Sequence, residues 1–453
     1  MLWHVYLPKF KINRVKNMTS ISIDAKPTKE FFITMLTRDI PLNRAILDLI
    51  DNSVDAANSI MMSEGLNDLS NFEINIVITK DMFQISDNCG GFDLETGQKY
   101  AFRFGRDPKA PPTPNSVGQF GVGMKRTLFK LGEKFKVITK SKNDNGFTVD
   151  VDVNEWKSAD EWNFPCQVGD TGLQDGTTTI LVERLYREVA EQFSLKDFIN
   201  NLIYEVSLAH FMPIHYNLKI KINDVLVPKY DFQIFQNESI NPQIKEICID
   251  DVSIRIIAGI SERSPEKSGW YIVCNGRLIV TADKTKLTGW DSALGTRKFH
   301  NDFAHFRGIV IFESQTSSLL PWTTTKTGID EDNKYYKIAF NQMLNVMNKI
   351  LPVLNERAKE QKSLDNEEII EAPLNRSISE ARLVSLFKLD IRRKDFYTVP
   401  ANLNTQAPSL VRIQYSVPIS KFRMVSQLLK TDNQAEVGRR TFEYYFDYEC
   451  GNE

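Results

Sequence analysis

The chain has 453 residues, of which 42% are hydrophobic and 25% are charged, and its formal net charge is −2 at pH 7. These proportions are typical of a globular protein, and the length exceeds one compact core, so we expect two or three domains. The near-neutral charge neither indicates nor excludes nucleic-acid binding. No apolar run approaches the roughly 18–20 residues of a membrane span, and the first residues lack a signal-peptide pattern. We therefore expect a cytoplasmic protein without a membrane partner.

Hydrophobic periodicity in the first part of the chain predicts helices packed on one face of a mixed sheet. The predicted helices cover 28–36, 41–62 and 122–131, and the predicted strands cover 72–78, 83–86, 135–139, 147–153 and 178–183. The intervening stretch 92–117 is rich in proline and is expected to be a long loop that serves as a lid. We therefore place a first domain at residues 28–190, after an N-terminal extension at 1–27.

The remaining chain predicts a second α/β domain at residues 191–362. Its expected elements are a helix at 195–209, strands at 216–222, 246–257, 270–273, 278–280 and 308–312, and a long helix from 330 to about 362 with a break before Pro352. An acidic linker follows at 363–372. We expect a small C-terminal module at 373–453, with a strand at 410–417, a helix at 419–430 and the aromatic segment 442–448 in its core.

The first domain contains an unusual polar stripe. On a helix, Asp48, Asp51, Asn52 and Asp55 share one face, at positions i, i+3, i+4 and i+7. The opposite face is an ordinary apolar one, formed by Leu47, Ile50, Val54, Ala57 and Met61. Like charges four residues apart cost about 0.2–0.5 kcal/mol per pair. Stability does not favour this stripe, so we expect a positive partner, and a hard cation with oxygen ligands is the natural candidate.

Three glycine-containing segments accompany the stripe. The segment Asp87-Asn-Cys89-Gly90-Gly91 follows a predicted strand, and taken alone an Asx turn is the favoured interpretation. The segment from Gly118 to Lys125 opens a helix, whose free N–H groups suit phosphate. It is neither a P-loop nor a dinucleotide fingerprint, and taken alone a loop cap explains it equally well. Asp175-Gly-Thr177, considered alone, is simply a turn.

In this order and spacing, the segments resemble the motifs of the GHKL ATPase superfamily of gyrase, heat-shock chaperones, histidine kinases and MutL. Gly-Gln-Phe-Gly-Val-Gly is similar to the phosphate motif of the large chaperones. Asp-Asn-x-x-Asp-Ala with Gly-x-Gly-x-Lys is similar to the Microrchidia (MORC) type ATPases and their bacterial relatives. The resemblance is specific over 28–190. It implies an α+β fold, with a Bergerat-type α/β sandwich, a transducer-like (S5-like) α/β domain and a small C-terminal α/β module.

The resemblance also implies roles in binding ATP and Mg²⁺. Asn52 would ligate the metal together with the phosphates, and Asp55 lies beside it. Asp87 would accept a hydrogen bond from the adenine amino group, with Thr177 supporting it through water and Gly91 allowing close approach. The residues expected around the phosphates are Gly118, Gln119, Phe120, Gly121, Val122, Gly123, Met124 and Lys125.

Two further residues would be catalytic. The general base of the family is usually a glutamate four residues before the asparagine, and Asp48 holds that place with a side chain one methylene shorter. Slow turnover is therefore predicted. Lys326, in the loop 323–328 before the long helix, would reach the γ-phosphate from the second domain. Cys89 stands where the family has glycine, which predicts an altered turn with binding retained.

These roles predict a slowly hydrolysing ATPase that acts as an ATP-dependent dimerisation switch or clamp. A role on DNA would use Lys134, Lys136, Lys140, Lys142 and the segment 392–394. A role in phage defence is suggested by analogy alone. The alternatives are a non-hydrolysing, ATP-dependent protein-interaction module and a chaperone-like protein, with an unknown protein partner bound through the C-terminal module. A histidine kinase is disfavoured because only His4 precedes the ATP domain.

Overall fold

The computed structural model describes residues 26–105, 116–117, 121–142, 144–291, 297–323, 325–366, 368–369, 371–390, 396–397, 411 and 413–450. The chain divides into two compact units. One unit comprises Met1–Ala358 with Leu374–Pro400, and the other comprises Lys359–Pro373 with Ala401–Glu453. In the described part of the chain, no helix is both long and apolar enough to cross a membrane.

Runs of helices and runs of strands follow one another along the chain. The helices are α1 (Lys29–Thr37), α2 (Leu42–Glu64), α3 (Leu94–Thr96), α4 (Gly123–Leu131), α5 (Val153–Ser158), α6 (Arg187–Phe193), α7 (Lys196–Ala209), α8 (Phe211–His215), α9 (Lys334–Asp365), α10 (Pro373–Ser379), α11 (Ile419–Leu429) and α12 (Gln434–Glu449). The strands are β1 (Glu73–Ile78), β2 (Met82–Asp87), β3 (Gly132–Lys140), β4 (Phe147–Asp152), β5 (Cys166–Val168), β6 (Thr177–Leu185), β7 (Lys219–Ile222), β8 (Val225–Leu226), β9 (Gln233–Gln236), β10 (Gln243–Ile249), β11 (Val252–Ile260), β12 (Gly269–Cys274), β13 (Arg277–Asp283), β14 (Phe306–Ser314) and β15 (Arg382–Ser385). A π-helix at Gly97–Ala101 follows α3.

The first sheet has eight strands in the order β5-β4-β3-β6-β2-β1-β7-β8. Burial alternates along β1 and β2, so one face of the sheet carries the core. The apolar face of α2 contributes Ile46, Ile50 and Val54 to that core. The chain therefore has the α+β fold that the sequence predicted.

The first sheet continues past residue 190, where we had placed the end of the first domain. β7 pairs in parallel with β1, so that Glu73 lies opposite Lys219. Val227 still belongs to the first core. A parallel pair between strands more than 140 residues apart leaves no local trace in the sequence, which is why periodicity alone assigned this strand to the second domain.

The second sheet has five strands in the order β10-β11-β14-β12-β13. The predicted strand 246–257 is wrong, because it is a hairpin of β10 and β11 that turns at Asp250, whose φ is +51°. The break expected before Pro352 is also absent, and α9 runs through it. Ile350 and Leu354 are buried on either side of the proline, so tertiary packing holds the helix together there.

Two predictions for the C-terminal residues are wrong. The segment 413–417 is described without strand structure. The aromatic segment 442–448, expected in a core, lies on α12 with exposed side chains. Residues further upstream pack elsewhere, since β15 pairs with β9 in the first unit.

Candidate active site

The polar stripe of α2 is buried at two of its four positions. Asp48 and Asp51 are only 5% and 1% exposed. Asp55 is half-buried, and Asn52 is exposed. The stripe therefore combines carboxylates that require protein partners with an amide that is open to a ligand.

Asp48 lies between two cations and against the start of α4. The Arg126 guanidinium contacts its Oδ2 atom, and the Lys326 ammonium lies 3.4 Å from its Oδ1 atom. A Cβ atom added at Gly123 would lie 3.3 Å from the Cβ atom of Asp48. Glycine at the first position of α4 thus lets the helix N-terminus approach the carboxylate closely. The structure brings together Asp48, the N-terminus of α4 and Lys326. The sequence analysis predicted these to be the general base, the phosphate-binding helix end and the γ-phosphate contact.

Asp51 is the centre of a buried charge cluster. Lys326 Nζ lies 2.8 Å from its Oδ2 atom, and His210 Nε2 and Arg277 Nε lie 2.8 and 2.9 Å from its Oδ1 atom. Burial acts to raise the pKa of Asp51, but the charges of Arg277 and Lys326 hold it below its ordinary value. The positive partners of the stripe are therefore side chains of the protein, where the sequence had suggested a metal ion.

Burial and the same contacts set the charge states of the other members of the cluster. Burial acts to lower the pKa of Lys326, but Asp51 and Asp48 raise it above its ordinary value, so the ammonium is charged. Burial lowers the pKa of His210, so the neutral ring donates its Nε2–H to Asp51. Sequence reasoning missed His210 and Arg277 because both are distant in sequence from α2.

Lys326 is held in the cluster by a tight loop. Its backbone φ is +54°, in the left-handed region that non-glycine residues rarely adopt. Its N–H donates to the Thr323 carbonyl at 2.9 Å, and the Thr323 N–H donates to the Gly328 carbonyl at 3.0 Å. Strained backbone that the surroundings maintain is typical of functional positions.

Asp55 accepts a hydrogen bond from the last residue of the predicted lid, 92–117. Both of its carboxylate oxygens accept the Val117 N–H, each at 2.8 Å. The Val117 side chain is buried in the core of the second sheet, and Ser317 Oγ donates to the Ser116 carbonyl at 2.5 Å. Asp55, predicted to be near the nucleotide, thus connects the end of the predicted lid to α2 through this hydrogen bond.

Asp87 stands at the end of β2 with a well-defined environment. Its carboxylate accepts hydrogen bonds from Ser53 Oγ at 2.7 Å and from the Cys89 N–H at 2.9 Å. Burial raises its pKa above the ordinary value, against the effect of these two bonds. Gly91 has a φ of +58°, and a Cβ atom there would lie 2.3 Å from the Lys140 carbonyl oxygen. Only glycine fits this turn, because of the neighbouring backbone; the predicted close approach of Gly91 to the adenine stays a prediction.

The threonine beside Asp87 is Thr178. In the β2–β6 register, Asp87 lies opposite Thr178, so both side chains lie on the same face. Thr178 Oγ1 lies 3.0 Å from Thr139 Oγ1. Thr177, the residue predicted from the motif, alternates to the other face and donates to the Gln174 carbonyl at 2.5 Å. Ile180 and Val182 are the buried positions of β6, and residue 178 lies on the same face of the strand. This alternation is the signal that would have identified Thr178.

The predicted phosphate segment is described only in part, since Gly118, Gln119 and Phe120 lie outside the described residues. Gly121 has a φ of +65°. Val122 is the N-cap of α4, and Met124 packs against the first core.

Lys125 does not contact the cluster around Asp48. Its ammonium donates to the Ala101 carbonyl at 2.6 Å, and the side chain is buried. Burial lowers its pKa to about 7. Lys125 therefore fastens α4 to the π-helix at the beginning of the lid, and the next residue, Arg126, faces Asp48 instead. Adjacent helical residues point about 100° apart, so the two side chains reach different partners.

The lysines that suggested DNA contacts all have acidic neighbours. The pairs are Lys134–Glu183, Lys136–Asp150, Lys140–Asp175 and Lys142–Glu64, with N···O distances between 3.0 and 3.7 Å. Residues 392–394 lie outside the described residues. The lysine side chains thus form a mixed-charge surface, which provides no specific support for DNA binding.

The fold and these contacts place the glycine-flanked N-terminus of α4 against the polar face of α2, beside a mixed sheet. Residues 40–170 match the family model of histidine kinase-, DNA gyrase B-, and HSP90-like ATPases. Over these residues the chain therefore contains a GHKL-type ATPase domain, and the resemblance to the GHKL superfamily is confirmed there, while the MORC-like refinement stays a prediction. A comparison with curated proteins finds no match.

Proposed function

We propose that this chain is a MORC-like ATPase that binds ATP with Mg²⁺, hydrolyses it slowly and uses the nucleotide to control association with a second copy. The supporting observation is the position of Lys326. This lysine follows the second sheet in sequence, yet its ammonium lies within 3.4 Å of Asp48 and 2.8 Å of Asp51 on α2. A γ-phosphate placed at the N-terminus of α4 would meet this ammonium directly.

Nucleotide binding would use residues on both sides of α2. Asp87, oriented by Ser53, would accept a hydrogen bond from the adenine amino group, and Thr178 replaces Thr177 as its neighbour. The exposed Asn52 offers an amide oxygen to the metal. No group of three His, Cys, Asp or Glu side chains in the described residues is arranged to hold a metal. This suits magnesium that takes most of its ligands from phosphate and water and that, when bound, neutralises phosphate charge.

Hydrolysis would depend on Asp48. Its carboxylate would accept a proton from the attacking water, and its short side chain requires that water to lie close to α2. Both of its oxygens face cations in this structure, and these cations compete with the attacking water for the carboxylate. Slow turnover follows from this arrangement as well as from the missing methylene.

The test combines calorimetric binding of ADP and of a non-hydrolysable ATP analogue with phosphate release and mass in solution. The wild type should bind both nucleotides, release phosphate slowly and double its mass with the analogue. Asn52→Ala should lose Mg²⁺-dependent binding, and Asp48→Asn should keep binding but lose turnover. Binding that is untouched by Asn52→Ala would refute the site. Dimerisation without any turnover would instead support the non-hydrolysing interaction module.

A further inference from the structure

Arg126 is a cation in the site to which neither the motifs nor the resemblance gives a role. It lies on the first turns of α4, three residues after Gly123. Helical side chains lean toward the N-terminus of their helix, and here that places the guanidinium on Asp48 with 13% of the side chain exposed. Arg126 therefore lies at the helix end where phosphate would bind.

Charges of both signs meet in this cluster. Asp48 and Asp51 contact Arg126, Lys326 and Arg277, and the charge of Asp55 also acts on Lys326. His210 adds no charge, because burial lowers its pKa. Three carboxylates thus face three cations, so an anion that enters must compete with a carboxylate for one of the cations.

Arg126 also retains an unused donor. Its Nε atom is buried and has no hydrogen-bond partner within the described part of the chain. Buried polar atoms without a partner are uncommon and call for an explanation. The unpaired donor, at the N-terminal end of α4, indicates that a further anion belongs beside this guanidinium.

We propose that Arg126 is a catalytic residue that leaves Asp48 and binds the γ-phosphate when ATP enters, which rests on the function proposed above. This exchange frees the Asp48 carboxylate. The water oxygen then bonds to the γ-phosphorus while the bond to the bridging oxygen breaks, and its electron pair leaves with ADP. Asp48 takes the water proton and passes it to solvent. Arg126 offsets the charge on the γ-phosphoryl oxygens.

The experiment compares the affinities for ADP and for the non-hydrolysable analogue AMP-PNP by calorimetry in Mg²⁺, together with phosphate release from ATP. The variants are Arg126→Gln, Arg126→Lys and the control Lys130→Gln, which removes a cation from the same helix but bonds only the Thr37 carbonyl. Arg126→Gln should keep ADP affinity within about twofold and weaken AMP-PNP affinity by about tenfold or more. Its turnover should fall by about 10²-fold, and Arg126→Lys should recover part of the AMP-PNP affinity.

The outcomes separate this role from packing and from the proposed function. An unchanged ratio of the two affinities, or an equal loss of both, would overturn the proposal, as would faster turnover in Arg126→Gln. Faster turnover would mean that Arg126 only restrains Asp48. If the wild type binds neither nucleotide, the proposed function itself fails. Normal wild-type binding with an unchanged ratio removes only the role of Arg126.

Discussion

Lys326 and Asp51 form a buried ion pair of 2.8 Å between residues that are 275 positions apart in the sequence. The lysine comes from the loop before α9 and the carboxylate from α2. Arg277, on the β13 strand of the second sheet, approaches the same carboxylate. Two separate segments that follow the ATPase domain thus contact one side chain of α2. Asp51 therefore links α2, whose polar face is predicted to meet the nucleotide, to the second sheet and to the loop before α9 through ion pairs.

The first prediction concerns Lys326→Met. Removal of the ammonium should lower ATP turnover by about 10²-fold, because a cation near the γ-phosphoryl group is lost. Asp51 keeps Arg277 and His210, so the fold should persist and ADP should still bind. Phosphate release and light scattering with AMP-PNP measure the effect, and dimerisation by the analogue should disappear. Lys334→Met is the matched control, because it removes an exposed lysine paired with Asp250. Equal turnover in the two variants would exclude Lys326 from catalysis.

The second prediction concerns the free energy of unfolding. Asp51→Asn should destabilise the protein by about 3–5 kcal/mol, because Arg277 loses its buried carboxylate and Lys326 keeps only its longer contact with Asp48. Asp250→Asn, which removes an exposed carboxylate, should change stability by less than about 0.5 kcal/mol. Urea denaturation followed by circular dichroism measures both. A small effect of Asp51→Asn would show that water or movement of the loop relieves the cluster.

The third prediction separates two adjacent threonines. Thr178→Val should weaken ADP binding by about tenfold, because it removes a hydroxyl on the face of Asp87. Thr177→Val should leave the affinity nearly unchanged, since that hydroxyl bonds Gln174 on the other face. Calorimetric titration with ADP measures both variants. The reverse ranking would restore the motif-based choice of Thr177 and contradict the β2–β6 register as a guide to the site.

The fourth prediction concerns pH and Lys125, whose pKa burial lowers from 10.5 to about 7. The unfolded chain binds this proton more readily than the folded chain between these values, so the lysine destabilises the fold below pH 7 and this penalty fades as the pH rises toward 10.5. Between pH 7 and 9 the wild type should therefore gain about 2 kcal/mol of stability relative to Lys125→Met. Urea denaturation at both pH values tests this. Parallel pH profiles would mean that the ammonium stays charged beside the Ala101 carbonyl.

Much of the site was predictable because its chemistry is local in sequence. The stripe of α2, the turn at Gly91 and the start of α4 each depend on spacing within a few residues. Lys326 was placed from its position before the long helix. The cations Arg277 and His210 were not predicted, because their contacts with Asp51 depend on tertiary packing.

The parts of the fold and of the site that the sequence left undetermined depend on which way side chains point and on which strands pair. The choice between Thr177 and Thr178 for the adenine, and between Lys125 and Arg126 for the phosphates, stays a prediction, because it requires knowing which way a side chain points and a shift of one residue reverses the answer. The turn at Asp250 lies between two stretches, 246–249 and 252–257, in which polar and β-branched residues alternate, so the two strands were predicted as one. The aromatic residues of α12 were assigned to a core by composition, yet no element of the described chain covers them.

The anchoring of Val117 has a consequence for experiments on parts of this protein. Asp55 holds its N–H, while its side chain occupies the core of the second sheet. A fragment that ends after β8 would leave this valine without its pocket and release residue 117, at the end of the predicted lid, from the second sheet. Nucleotide affinity measured on such a fragment would be that of a domain in which residue 117 is no longer anchored. The smallest piece that can faithfully report the affinity of the chain therefore includes the second sheet.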